Sequence, residues 1–277
     1  MWYTGGMNNS AFRKIQNNLL TSQAVSVLGP KLYAEYLGGF LTHLPEIARS
    51  RDLHALDERM GRAADRFRYR GRSIVFDCGF CDEHIRDGSF AFGIAREIYI
   101  RDCYFKYHRP ETFAGARTVL DLGANRGAFS ALMASQADFV LSVEATAAFV
   151  PVIDHNMRAN DCRRYAVETV FVGAGGDMGG DGLPAVTMED LLGRHGLQQI
   201  DFVKMDIEGS EFALFESADW LEGVQALSME IHLTHGTAGQ VLGTLNRHGF
   251  RYAIADENLD RTGDLDQASF IYAWKPG

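Results

Sequence analysis

The sequence predicts an α/β fold: an open, mostly parallel sheet flanked by helices and preceded by a mainly helical region. Three observations carry this expectation. From residue 118 onward, short apolar runs alternate with segments of helical periodicity, the pattern of a parallel sheet covered on both faces. The first apolar run, "TVLDL", leads into a glycine loop, "GANRG", that opens a helix, as nucleotide-binding turns do. The last two runs, "FRYAIAD" and "ASFIYAW", are joined by the acidic loop "ENLDRTGDLDQ" without a helix, which suggests an antiparallel hairpin at a sheet edge.

The elements follow in order. The first 66 residues read as helices, because Phe12, Ile15 and Leu19 recur at helical spacing, as do Leu32 or Tyr33, Tyr36 or Leu37, and Phe40 or Leu41. Leu53, Leu56, Met60, Ala63 and Phe67 form a third stripe, each stripe a core-facing side. Residues 67–80 read as a short hairpin turning near Arg70-Gly71. Residues 49–72 carry eight arginines against four acids. A solvated helix face explains them, and contact with an anionic substrate is the sharper alternative. The expected organisation is a helical and hairpin cap over residues 1–95, then a sheet domain over residues 96–277. Within that domain "TVLDL", "DFVLSVEA", "YAVETVFVG", "IDFVKMD" and "VQALSMEIHL" are strands. The intervening helices include one with Pro151 placed early, and "TMEDLLGRHG", opened by the capping pair Thr187 and Asp190 and closed by Gly196.

Composition narrows the function classes. Of 277 residues, 46% are apolar and 23% charged, the mix of an ordinary globular protein. A net charge of −9 argues against nonspecific nucleic-acid binding, which needs a basic footprint. No run of about 18 apolar residues is present, so no membrane partner is expected. The opening "MWYTGGMNNS" lacks the basic and apolar regions of a signal peptide, so the expected location is cytoplasmic. Cys78 and Cys81 form "CGFC". A redox dithiol needs a helix starting at the first cysteine, whereas "DEHIRDGSF" reads as a turn, so two ordinary thiols are expected.

The glycine loop points to a ligand. A dinucleotide-binding turn has the spacing G-x-G-x-x-G, but Gly123 and Gly127 are separated by three residues, and Asp121 stands two before the first glycine. A carboxylate there repels a pyrophosphate and suits a cationic ligand. S-adenosylmethionine fits, with its ammonium and sulfonium. Glu144 ends the next strand, where a carboxylate accepts ribose hydroxyls. The missing middle glycine and Asp121 both count against a dehydrogenase.

Charge gathers at two further strand ends. "FVKMDIEGSEF" places Asp206 and Glu208 at the end of strand four, where open parallel sheets bind ligands. Lys204 lies deeper and is expected to pair with a carboxylate, and Glu211 reads as ordinary first-turn charge. In "MEIHLTH", Glu230 and His232 share one sheet face. His232 is the candidate proton acceptor, with a pKa expected near neutrality and Asp206 or Glu208 stabilising its charged form. His235 lies beyond, in a turn. Asp206, Glu208, Glu230 and His232 are able to ligate a divalent ion, but no spacing demands one and none is expected.

The segments "TVLDLGANRGAFS", "SVEA", "VTMEDLL" and "IDFVKMDIEGSE" resemble the FkbM family of S-adenosylmethionine-dependent methyltransferases, over about residues 97–274. The resemblance implies a Rossmann-like class I methyltransferase fold, with a seven-stranded sheet whose last strand is antiparallel. It implies methyl transfer, usually to a hydroxyl of a natural product or sugar, and hence a small-molecule or glycan acceptor. N-methylation of a small molecule, or a non-catalytic binding role, are the alternatives, and a homo-oligomer is compatible with either. By this likeness Asp121, Gly123, Ala124, Asn125 and Gly127 line the methionine part of the cofactor. Glu144 and Ala145 hold the ribose, Gly173 and Ala174 lie near the adenine, and Asp206 faces the cofactor. "EIYIRDCYF" is similar to the family's lead-in, so Glu97 and Tyr104 close over the cofactor.

Overall fold

The protein is described by a computed structural model that covers residues 21–162, 164–173 and 185–276. The stripe Phe12, Ile15 and Leu19 and the position Ala174 lie outside these residues. The chain divides into two units, Met1–Asp102 and Cys103–Gly277, so the division falls after residue 102 where the sequence suggested residue 95.

The first unit is mainly helical. Its helical stretch Ser22–Ser50 is capped by Thr21, whose hydroxyl accepts from the Ala24 N–H at 3.0 Å. The stretch breaks at Gly29 (φ 69°, ψ 167°), where Pro30 pushes the preceding residue out of the helical region. A second helix, His54–Gly61, buries Leu56 and Met60. Strands β1 (Arg66–Tyr69) and β2 (Arg72–Val75) pair antiparallel around Arg70 and Gly71, both at positive φ (47° and 81°). Two consecutive positive φ values suit the right-handed twist of a tight hairpin. Of the eight arginines between residues 49 and 72, all but Arg72 are exposed, consistent with a solvated face.

The structure corrects one expectation here. "CDEH" is no turn: a helix runs over Cys78–His84, started by Asp77, whose Oδ1 accepts from the Phe80 N–H at 2.9 Å. Local side-chain capping supplied the helix start that the turn-like composition concealed. Both thiols are nonetheless fully buried, and burial pushes the Cys78 thiol well above its usual range. They pack rather than react.

The second unit is built on a seven-stranded sheet. Its strands are β3 (Thr118–Leu122), β4 (Phe139–Val143), β5 (Tyr165–Glu168), β8 (Ile200–Met205), β9 (Val224–Glu230), β10 (Arg251–Ala255) and β11 (Phe270–Trp274). They lie in the order β10-β11-β9-β8-β3-β4-β5. All pairings are parallel except those of β11, which runs antiparallel to both β9 and β10. This is the Rossmann-like class I methyltransferase arrangement. One detail differs from the sequence reading. The third strand splits, because Phe171–Val172 (β6) leaves the main sheet to pair in parallel with Ala185–Val186 (β7). In the final hairpin β10 is the edge, and β11 enters between it and β9.

Helices cover the sheet as the apolar pattern requires. Val150–Ala159 has its proline in the first turn. Met188–His195 begins at Thr187, whose hydroxyl accepts from the Asp190 N–H at 3.1 Å, and ends at Gly196 in the left-handed conformation. Ala238–Arg247 opens with a reciprocal capping box between Thr237 and Gln240. The core joins Leu120, Leu141, Val203, Met205, Leu227 and Met229 from the central strands to Leu191, Val241 and Leu245 from the helices.

The chain crosses in opposite directions from β3, to β4 on one side and to β8 on the other. Such a switch point leaves a crevice beyond the strand ends. There the N–H groups of Gly123 and Ala124 both donate to the Val143 carbonyl at 2.9 Å, and the Asp206 N–H donates to the Leu122 carbonyl at 3.0 Å. Gly123 has φ 74°, and a Cβ there would stand 1.7 Å from the Asp206 carbonyl oxygen. Gly123→Ala should therefore destabilise the protein by about 3 kcal/mol or more. Gly193→Ala, in a helix and facing open space, should instead stabilise it by about 0.5–1 kcal/mol. Urea denaturation midpoints of the two variants check the contrast.

Candidate active site

The charge placed inside β8 has an internal partner. Lys204 is buried, with Nζ 3.3 Å from Asp121 Oδ1 and 4.0 Å from Asp206 Oδ2. Its ammonium also donates to the carbonyls of Leu122, at 3.2 Å, and Gly123. Burial pulls the Lys204 pKa down, but the carboxylates of Asp121 and Asp206 outweigh burial and hold it above its usual value. Asp121 is wholly buried, and its Oδ2 accepts from the Ser130 hydroxyl at 2.6 Å.

This corrects the role expected for Asp121. Its charge is answered by Lys204 inside the protein, so it offers no bare carboxylate to a ligand, and the argument that it would repel a pyrophosphate loses its force. Asp121 instead fixes the ammonium that gathers the loop carbonyls.

The remaining loop residues are arranged around Glu144. Asn125 (φ 51°) is exposed, and its N–H donates to Glu144 Oε2 at 2.8 Å, while the Thr146 N–H donates to Oε1 at 2.7 Å. Ala124 is buried, and Gly127 (φ 78°) starts the helix Ala128–Ala134 with Ile153 packed against its α-carbon. Ala145 is half-buried beside Glu144, and Gly173 is buried, its N–H donating to the Val186 carbonyl at 3.1 Å. Glu97 falls in the first unit, where it pairs with Arg101 at 3.0 Å. Tyr104 is buried in the second unit and donates its hydroxyl to Asp206 Oδ2 at 3.2 Å. Burial, then the Asp206 charge, pushes the Tyr104 pKa well above its usual value, so the phenol keeps its proton.

The third group joins the ends of β8 and β9. Glu208 (φ 53°) and Gly209 (φ 103°) turn the chain out of β8. Glu211, which the sequence suggested was ordinary surface charge, is wholly buried. Its Oε2 accepts from the Gly209 N–H at 2.7 Å, and its Oε1 accepts from the His232 N–H at 2.8 Å and from His232 Nδ1 at 3.0 Å. His232 Nε2 lies 3.4 Å from Glu208 Oε2. The hydrogen bond that the His232 ring donates to Glu211 is the main reason the His232 pKa is raised to about 9, with the charges of Glu211, Glu208 and Asp206 adding to it. The expectation of a neutral imidazole at neutral pH is thereby overturned. The strand that carries it, β9, neighbours β8, and β3 lies one strand further on. Glu230 ends β9 half-buried, opposite Phe270 of β11. His235 packs its ring against Gly209. Asp206, Glu208 and His232 bring one ligand atom each to within 4.8 Å of one another, so these three are the described residues able to hold a metal ion.

Sequence reasoning missed the buried role of Glu211. The signal was present in "EGSE": a second acid at the first position of the helix, two residues after a glycine that makes a sharp turn.

Two outcomes follow from these pairs. Lys204→Met strands the buried Asp121 carboxylate and should cost about 3–5 kcal/mol, measured by denaturant unfolding. In metal-free protein the His232 imidazole should titrate near pH 9 by NMR, and Glu211→Gln should return it toward 6.5. The sign for stability is fixed by the same shifts. The raised His232 pKa contributes stability that is complete below about pH 6.5 and lost as pH climbs through 9. The Glu211 pKa is lowered, because hydrogen bonds from His232 outweigh burial, so its contribution is present above about 4.5 and lost on acidification.

Residues 168–252 match the family model of the methyltransferase FkbM domain. Among solved structures, the methyltransferase FkbM from Methylobacillus flagellatus KT aligns at 15% identity and a TM-score of 0.44, covering 71% of this chain and 57% of that one. SMU.776, titled a methyltransferase complexed with SAH, aligns at 15% identity and a TM-score of 0.43, covering 75% of this chain and 54% of that one. SMU.1697c from Streptococcus mutans, in complex with SAH, aligns at 8% identity and a TM-score of 0.41, covering 60% of this chain and 94% of that one. The chain thus spans little more than half the length of the first two. No curated protein matches it. The match to the methyltransferase FkbM domain, over residues 168–252, falls within the second unit.

Proposed function

We propose that the protein transfers a methyl group from S-adenosylmethionine to a hydroxyl of a small molecule or glycan. The observation that carries this reading is the position of Glu144 beside the glycine loop at the switch point. Each Glu144 oxygen takes one backbone N–H, from Asn125 or Thr146. A carboxylate oxygen has a second lone pair, so the edge that closes the loop also suits the two hydroxyls of a ribose. Gly123, Ala124, Asn125 and Gly127 bring backbone close to the amino-acid portion. Ala145 borders the ribose, and Gly173 borders the adenine. Lys204 fixes Asp121 and Asp206, and Tyr104 holds Asp206 from the other side.

The donor's sulfonium supplies an already activated methyl group, and the protein's own task is alignment and exclusion of water. Asp206 and Glu208 are placed to accept a hydrogen bond from the acceptor hydroxyl. His232 is assigned to the same step as the charged partner that orients Glu208, with Nε2 3.4 Å from Glu208 Oε2 and Nδ1 anchored to Glu211. The preference for oxygen over nitrogen rests on the family resemblance.

Glu144→Ala should weaken S-adenosylmethionine binding by about 1–3 kcal/mol in calorimetry, the cost of losing charged hydrogen bonds. Unchanged affinity would overturn the placement. His232→Ala should lower turnover to S-adenosylhomocysteine by about 10²-fold while cofactor affinity stays near wild type. Near wild-type turnover would remove His232 from the catalytic assignment.

A further inference from the structure

We infer that Asp206, Glu208 and His232 form a divalent-cation site that holds the acceptor's oxygen at the ends of β8 and β9. Their ligand atoms, two carboxylate oxygens and one imidazole nitrogen, all lie within 4.8 Å of one another. Neighbouring ligands around an octahedral ion with bonds of about 2.1 Å stand about 3 Å apart. The His232 Nε2 to Glu208 Oε2 distance is already 3.4 Å. Glu208, whose side chain is 87% accessible, has room to close toward that spacing.

A residue outside the ligand set sets this group apart from an ordinary surface cluster of acids. His232 Nδ1 is held at 3.0 Å by Glu211, which is wholly buried and pinned by the Gly209 N–H at 2.7 Å. Nε2 is thereby left as the ring nitrogen directed at the carboxylates. A carboxylate that fixes the far nitrogen of a metal-binding histidine is the usual outer support of such sites. Tyr104 does the same for Asp206, holding its Oδ2 at 3.2 Å.

The donor set also selects the ion. Two carboxylates and one imidazole suit Mn²⁺ or a similar first-row dication, whereas Ca²⁺ prefers six to eight oxygen ligands. Three protein ligands leave coordination positions for a substrate oxygen. A hydroxyl bound there becomes more acidic and releases its proton to water. Its oxygen then attacks the methyl carbon, the C–S bond breaks with its electron pair remaining on sulfur, and a methyl ether and a thioether result. That step rests on the methyltransferase reading, but the binding of the ion does not.

The full chain, stripped with a chelator and dialysed, should be titrated with Mn²⁺ and followed by calorimetry and by electron paramagnetic resonance of free Mn²⁺. One saturable site per chain is expected. Glu208→Gln, at an exposed position that folding tolerates, should weaken it about tenfold or more, as should Asp206→Asn and His232→Gln. Glu211→Gln, which removes only the outer support, should weaken it by at least a similar factor of about ten. Glu168→Gln, at a separate histidine–carboxylate pair 2.8 Å from His195, should leave it unchanged. No saturable binding, or binding indifferent to Glu208→Gln and His232→Gln, would overturn the inference. S-adenosylmethionine binding by the same chelated sample reports separately on the methyltransferase reading, so either can fail without the other.

Discussion

The second unit depends on the ion pair between Lys204 and Asp121. Each lies at the centre of the sheet, one on β8 and one on β3, and each is buried. Two charges taken out of water gain little net stability from one another, and their value lies in specificity. Here the ammonium also collects the carbonyls of Leu122 and Gly123, so it sets where β3 stops being a strand and where the loop begins. Asp121 in turn is tied by Ser130 to the helix that follows the loop. One buried cation therefore fixes a strand pair, a turn and the start of a helix. The loop reaches any ligand preorganised, at no further cost in ordering.

A second tie runs one strand further along. Glu211 belongs to the helix after β8, yet its carboxylate closes on the backbone and ring of His232 after β9. The two ties share Asp206, which Lys204 approaches from below and Tyr104 contacts through its hydroxyl. The ends of β3, β8 and β9 therefore form one platform, on which the side chains left accessible are Glu208 and, in part, Asp206 and His232.

Periodicity and turn chemistry made most of this architecture legible. Alternating strands and helices, Gly123, Gly127, Thr187 and Gly196 act within a few residues of their own position, so each can be read locally. The partner of a buried charge is set by tertiary packing and is harder to read. Lys204 in an apolar strand announced that it needed a carboxylate, but Asp121 and Asp206 were equal candidates until the register paired β3 with β8. Glu211 was misread because a first-turn acid at a helix start is ordinary in solvent, and only the return of β9 brings His232 onto it. The same return raises the imidazole's proton affinity. The helix at Cys78 was concealed by a glycine and charges that favour turns, until Asp77 is seen to cap it. The division of "YAVETVFVG" into β5 and β6 has no local signal, because no glycine or proline separates the two apolar halves.

The placement of β11 bears on how the chain folds. β11 follows β10 in sequence yet lies between β10 and β9. During synthesis β9 emerges after its neighbour β8, but its other edge and β10 lack a partner until the strand between them is made. The outer edge of β9, with Leu227 and Met229 beside it, therefore stays open until β11 is made, near the end of translation. The parallel core of β3, β4 and β8 can collapse earlier, because its strands are already present. Closure of the sheet is then a late event of high contact order, and the interval before it is when the nascent protein is most open to edge-to-edge association with other chains.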